Sequence, residues 1–156
     1  RFNFIADKDE EDRRLKALAE YRILGTEPES CYDDITQIAA RTCHVPISLM
    51  TLVDKDRQWF KSKVGFQTSE TRRDWSFCTH AIKENSPLII QDAYQDERFI
   101  NNPLVTGDPK IRFYAGFPLK NSDGNKLGTL CVIDRKPGNL TTQQFNIMAC
   151  LIYIFF

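Results

Sequence analysis

The chain has 156 residues, with 21 Lys+Arg against 21 Asp+Glu and a formal net charge of zero. That length suits one domain able to bury a core, and the balanced charge excludes a body built chiefly to grip nucleic acid or an anionic membrane. Five cysteines (Cys31, Cys43, Cys78, Cys131, Cys150) without a CxxC pair exclude a disulfide framework and point to a reducing, cytoplasmic compartment.

In chain order, Lys8–Glu20 carries Leu15, Leu18 and Tyr21 at three-residue steps, which predicts an amphipathic N-terminal helix within residues 1–25. Gly25 breaks that pattern. Thr26–Glu29 reads as a turn into a second helix over Asp33–Cys43, on the spacing of Ile35, Ile38 and Ala39. Ile47–Asp54 is a dense apolar run bounded by Pro46 and the Asp54-Lys55-Asp56 turn, so a strand is expected, paired with Gln58–Ser62 as a hairpin. Asp74 or Ser76 caps a short helix through Glu84, with Phe77, Ala81 and Ile82 turned inward. Pro87–Gln91 reads as a short strand, and the polar loop after it has room for one helical turn from Asp96. Ile111–Leu119 and Lys126–Ile133 form the strongest hairpin, around Asn121–Asn125 with its Asp123-Gly124 pair. Leu140–Phe156 is expected to be the closing helix, with Thr141 as its N-cap.

Ile47–Val53 and Lys126–Ile133 alternate poorly, which implies strands covered on both faces. Short antiparallel strands with helices at both ends define an α+β layered fold. The apolar run Ile147–Phe156 is about half the ~20 residues a membrane-spanning helix needs, so no direct membrane insertion is expected. Arg1 at the start and an apolar stretch at the end lead to the expectation of a single module, residues 1–156, cut from a longer chain.

Among the groups able to carry chemistry, Cys78-Thr79-His80 looks like a nucleophile beside its base. On a helix those two side chains lie about 200° apart, so they cannot easily share the hydrogen bond that activates a thiol. Cys78 is therefore expected to be buried and His80 hydrogen-bonded. With only His44 besides, no zinc site is expected. Cys131 shares a strand face, by alternation, with Leu127, Thr129 and Ile133. Arg112 sits in an otherwise apolar strand on the face of Tyr114. It needs a carboxylate, solvent or a ligand, and Asp92 is the expected partner. Phe145, Met148, Ile152 and Phe155 fall at steps of three and four, an apolar seam suited to a dimer interface, part of it packing on the chain's own sheet.

Four segments resemble one family. DRQWFKS (Asp56–Ser62), SFCTHAI (Ser76–Ile82), FYAGFPL (Phe113–Leu119) and GTLCVID (Gly128–Asp134) are similar, in this order, to the GAF sensory domain of bacterial-type signalling proteins such as histidine kinases and diguanylate cyclases. The resemblance runs from Leu15 to Leu151. It implies an antiparallel sheet with the terminal helices on one face and a ligand pocket on the other. Trp59, Trp75, Phe77, Phe99, Phe113, Tyr114 and Phe117 would lie in or beside the elements around that pocket. The candidate residues for binding a small molecule are Trp75, Cys78, His80, Asp92, Phe99, Arg112, Tyr114, Thr129 and Cys131, with no catalytic or metal-binding residue.

The resemblance also ranks what the pocket would hold. Phytochrome-type relatives attach a bilin to a cysteine between the third and fourth strands. Asp92–Lys110 contains neither Cys nor His, so no covalent bilin is expected and the ligand is unknown. The signature of the cyclic-nucleotide-binding relatives is absent too. The reading is thus a non-enzymatic regulatory domain that binds a small molecule or relays conformation, working as a homodimer through its N- and C-terminal helices. Two alternatives stand beside it. A thiol-dependent free methionine sulfoxide reductase would use Cys78 and Cys131. A ligand-free dimerisation module would have its pocket closed by Trp75, Phe99 and Phe113, and an occluded core would count against ligand binding.

Overall fold

The computed structural model describes residues 4–155, with side chains from residue 8 onward. Six strands, β1 (Ile47–Val53), β2 (Arg57–Val64), β3 (Glu70–Arg72), β4 (Leu88–Ile90), β5 (Phe113–Lys120) and β6 (Lys126–Asp134), make one antiparallel sheet in the order β3-β2-β1-β6-β5-β4. Three helices cover one face: α1 (Phe4–Glu20), α2 (Ser30–Cys43) and α5 (Thr142–Leu151). The other face is covered by the short helices α3 (Phe77–Ala81) and α4 (Pro103–Thr106) and by the loops around them. This is the α+β arrangement expected.

The central strands are buried on both faces, all seven residues of β1 among them. Alternation along β1 sends Met50 and Leu52 to the helices and Ile47, Leu49 and Val53 to the opposite layer. Two bulges shift that alternation. In β2, Met50 pairs with Ser62 and Thr51 with Phe60, so Lys61 is the extra residue. Its ammonium turns to the helical side, where it donates to Thr26 Oγ1 and the Glu27 carbonyl and pairs with Glu29. Ser62 then reaches Asp33 and Thr36 of α2. In β6, Gly128 pairs with Leu119 and Lys126 with Lys120, which leaves Leu127 as the extra residue. Leu127 therefore joins the helical-side core with Leu130, rather than sharing the face of Cys131 and Ile133 as simple alternation requires. Gly128 is needed beside the bulge, since a Cβ there would lie 1.8 Å from the Thr51 carbonyl oxygen.

Both expected helix caps are present. Ser76 accepts from Thr79 N, and Thr141 forms a reciprocal capping box with Gln144. Two expectations need correction. The closing helix ends at Leu151 and continues only as a 3-10 turn, Ile152–Ile154. Its seam of Phe145, Met148, Ile152 and Phe155 faces the chain's own sheet and α2. Met148 is buried, Phe145 lies 5.1 Å from Phe117, and Phe155 stacks on Tyr32 at 5.7 Å. The seam is thus core, and Tyr153 and Ile154 are what remain exposed. The expected helical turn from Asp96 is present as a single turn, in which the Asp96 carbonyl accepts from Phe99 N and Ile100 N at 3.0 Å. Asp92 caps a 3-10 turn, Ala93–Gln95, and Asn102 caps α4 with Pro103 at its first position.

Candidate functional site

On the face away from the terminal helices, β1, β5, β6 and α3 enclose a buried polar cluster within an apolar layer. Thr51 and Thr129 are direct cross-strand partners, and their hydroxyls lie 3.1 Å apart. Cys78, in the first turn of α3, places Sγ 3.0 Å from Thr129 Oγ1 and 3.1 Å from Tyr114 Oη. Thr129 N donates to Thr51 Oγ1 at 3.2 Å, and the Thr51 hydroxyl has the Thr129 carbonyl within 3.5 Å as an acceptor. The hydroxyls of Thr51, Thr129 and Tyr114 and the Cys78 thiol thus form one connected network. Cys131, two residues along β6 from Thr129, lines the same cavity as Cys78, and each thiol bears on the other's ionisation.

Burial by itself pushes the Cys78 thiol up. The hydrogen bonds from Cys131, Thr129, Thr51 and Tyr114 outweigh it and bring the thiol down to about 6. Burial raises Cys131 and Tyr114 well above their ordinary values, and negative charge on Cys78 adds to both shifts. Cys78 is therefore the thiol of the pair that ionises first. Cys43, buried without such donors, rises to about 11.

Cys78, Cys131 and Tyr114 line a cavity of about 20 Å³, together with Ile47, Leu49, Phe60, Phe66, Phe77 and Leu104. That is room for about one water molecule. Phe66 and Leu104 also line an open cleft of about 400 Å³ whose walls include Trp75, Arg72 and Asp108. This cleft is the outer mouth of the cavity. Asn102 Nδ2 donates to the Trp75 carbonyl at 3.0 Å, so α4 and the Trp75 segment hold each other across it.

The nine candidate residues separate into three groups. Cys78, Tyr114, Thr129 and Cys131 meet in the cluster. Phe99 stacks on Phe77 at 4.0 Å just outside it, and Trp75 lies at the mouth. His80, Asp92 and Arg112 lie elsewhere. The His80 ring packs edge-on against Phe99, where burial, with Lys83 and Arg98 nearby, lowers its pKa. Arg112 and Asp92 form the expected ion pair, 2.8 and 2.9 Å, with the guanidinium over Tyr94, and neither lines the cavity. Arg112 lies just before β5, held by backbone hydrogen bonds to Asp134 and Ala93, and its side chain is partly exposed, where solvent lowers the cost of its charge. Trp59, Phe113 and Phe117 belong to the helical-side core, so the expectation that Phe113 closes the pocket is corrected. Thr51 and Gly116 were missed. Thr51 lies inside an all-apolar run, and Gly116 announces nothing in sequence. Yet a Cβ on Gly116 would lie 2.1 Å from Tyr114 Oη, so its bare backbone is what lets the Tyr114 ring lie down and reach Cys78. Among the described residues, no group of three or more His, Cys, Asp or Glu is placed to hold a metal ion, and no helix is long and apolar enough to cross a membrane.

A sheet with terminal helices on one face and a small enclosed cavity under short helices on the other defines a sensory-type α+β module. Residues 27–152 match the family model described as the GAF domain, and the chain belongs to that family. It is 38% identical over 129 residues to a cyclic di-GMP phosphodiesterase of Pseudomonas aeruginosa, an alignment spanning 83% of this chain and 22% of that protein. The GAF domain of an Acinetobacter phosphoenolpyruvate-protein phosphotransferase superposes with a TM-score of 0.63 at 15% identity, over 90% of this chain and 86% of that one. The free methionine-R-sulfoxide reductase of Neisseria meningitidis superposes with a TM-score of 0.64 at 14% identity, over 92% of this chain and 81% of that one. These two likenesses concern the fold. The expectation of a non-enzymatic chain is overturned by this comparison, because the Pseudomonas relative carries an enzyme's name, as does the Neisseria neighbour. The chain spans 22% of the length of that relative.

Proposed function

We propose that this GAF domain is the sensory input of a longer cytoplasmic signalling enzyme that hydrolyses cyclic di-GMP. The observation that carries the reading is the 38% identity to the Pseudomonas phosphodiesterase across 83% of this chain. The buried cluster around Cys78 is the input site, and the terminal helices are the output. The cavity of about 20 Å³ excludes a metabolite-sized ligand unless Phe66, Leu104 and Trp75 part at the mouth. The input is therefore either a very small molecule or one that opens the domain.

A physical link from site to output supports the relay. Thr79 of α3 donates to the Arg73 carbonyl at 3.1 Å, and the Arg73 guanidinium pairs with Glu11 on α1. A shift of α3 moves Arg73 and so biases α1. The homodimer belongs to the same reading through the outer face of α5, where Ile147, Cys150, Leu151 and Ile154 line a shallow groove. The test measures cyclic di-GMP hydrolysis by the longer protein in three forms: wild type, Cys78→Ser, and deletion of residues 27–152. Altered turnover in both variants, with substrate KM unchanged, supports the reading. Hydrolysis untouched by both changes refutes it.

A further inference from the structure

The cluster around Cys78 has three features that belong together. Two thiols, Cys78 and Cys131, line one cavity. Two hydroxyls, Tyr114 Oη and Thr129 Oγ1, are aimed at Cys78 Sγ from 3.1 and 3.0 Å. The space left beside them, about 20 Å³, admits only a molecule of one or two heavy atoms. A structural cysteine needs none of these. We propose that Cys78 and Cys131 are a dithiol oxidised by peroxide: a small hydroperoxide enters the cavity, oxidises Cys78, and Cys131 closes a disulfide with it.

The chemistry balances. The Cys78 thiolate attacks one peroxide oxygen and the O–O bond breaks. The departing oxygen takes up a proton and leaves as water, or as the alcohol of an organic hydroperoxide, and Cys78 is left as a sulfenic acid. Cys131 then attacks the Cys78 sulfur. The S–O bond breaks, and the hydroxyl leaves as water with the Cys131 proton. Two thiols lose two electrons and two protons in total, and the hydroperoxide gains both. Tyr114 and Thr129 serve as positioning residues that hold the thiolate. The titratable groups facing Sγ are Tyr114 from β5 and Cys131 from β6, while His80 on the same helix is turned against Phe99. Cys31 and Cys150 are exposed and outside the cluster.

The new bond would draw α3 toward β6, and α3 is tied through Thr79, Arg73 and Glu11 to α1. Only that consequence rests on the sensory reading above. The oxidation is tested on the chain alone, in a Cys31→Ser/Cys150→Ser background, by hydrogen peroxide titration with intact-mass and peptide mapping. The expected product has lost two hydrogens, yields a Cys78–Cys131 cross-linked peptide, and returns to the dithiol with dithiothreitol. In Cys131→Ser, or Cys131→Ala should the first not fold, Cys78 is expected to become reactive to dimedone. Its oxidation rate should fall below a pH of about 6. Tyr114→Phe should move that fall up by about one pH unit, which slows oxidation about tenfold well below pH 6 and less than about twofold at pH 7. Recovery of both residues as free thiols after unfolding overturns the proposal. So does a rate that rises through about pH 8.5, as an unperturbed thiol's does. A disulfide that forms without changing hydrolysis in the longer protein leaves this inference standing and sinks the sensory reading.

Discussion

Gly116→Ala tests whether the cluster depends on the posture of Tyr114. Gly116 lies two residues along β5 from Tyr114, so both face the cavity side. The added Cβ would meet Oη at 2.1 Å, Cζ at 2.6 Å and Cε1 at 2.7 Å. Carbon atoms settle near 3.5–4.0 Å, so the ring must move by about 1 Å or more. It has little freedom to do so, being 1% exposed with Phe77 packed 5.1 Å away. Overpacking of this kind costs about 1–3 kcal/mol, and parting the hydroxyl from Cys78 adds about 1 kcal/mol. Removing a strand glycine returns about 0.5–1 kcal/mol. The net loss should be about 1–3.5 kcal/mol, read as a lower urea midpoint with an unchanged m-value. In a Tyr114→Leu background the ring is gone and the same substitution should be neutral or stabilise by up to about 1 kcal/mol, so the two changes couple by about 2–4 kcal/mol. Equal costs in both backgrounds would refute the argument.

Two further outcomes follow from the ends of the chain. Burial opposes ionisation of Glu11, but hydrogen bonds and charge from Arg14 and Arg73 outweigh it and hold the carboxyl at about 2. A lowered folded pKa adds stability that is present above the unfolded value of about 4.3 and is lost as pH falls toward 2. Glu11→Gln should therefore cost about 1 kcal/mol at neutral pH, allowing for solvent screening, and match wild type near pH 2 in urea titrations. A difference independent of pH would contradict this. Thr141→Ala removes the capping box of α5 and should cost about 1 kcal/mol in thermal or urea unfolding. An unchanged midpoint would show that the tertiary seat of α5, not its cap, sets its stability.

Much of the fold was legible in local pattern. Ser76 and Thr141 act as caps because their hydroxyls satisfy helix amides three residues on, a relation visible in sequence. The central strands were readable because covering on both faces leaves a nearly continuous apolar run. The misreadings share one cause, which is the direction in which a side chain points. Leu127 was displaced by a bulge, and a bulge is set by how neighbouring strands match, not by the residues of one strand. The α5 seam has the right spacing for an interface, but spacing does not say whether the covering surface belongs to the same chain. Arg112 and Asp92 were paired correctly yet placed in the pocket, because the side on which a residue at a strand end leaves the sheet is a tertiary feature.

By itself the sequence determined the α+β class, the family, the Arg112–Asp92 pair, and the presence of Cys78, Tyr114, Thr129 and Cys131 among the residues that matter. The class follows from local pattern, whereas the family and the four pocket residues follow from the resemblance of short segments, each legible locally. The tertiary structure alone decided that Cys78 accepts hydrogen bonds from Tyr114 and Thr129, that Thr51 completes the network, and that Gly116 makes room for the ring. Those residues lie on four separate elements, up to 78 positions apart. The low thiol pKa and the small cavity are properties of their meeting, set by distances of about 3 Å that no single segment contains.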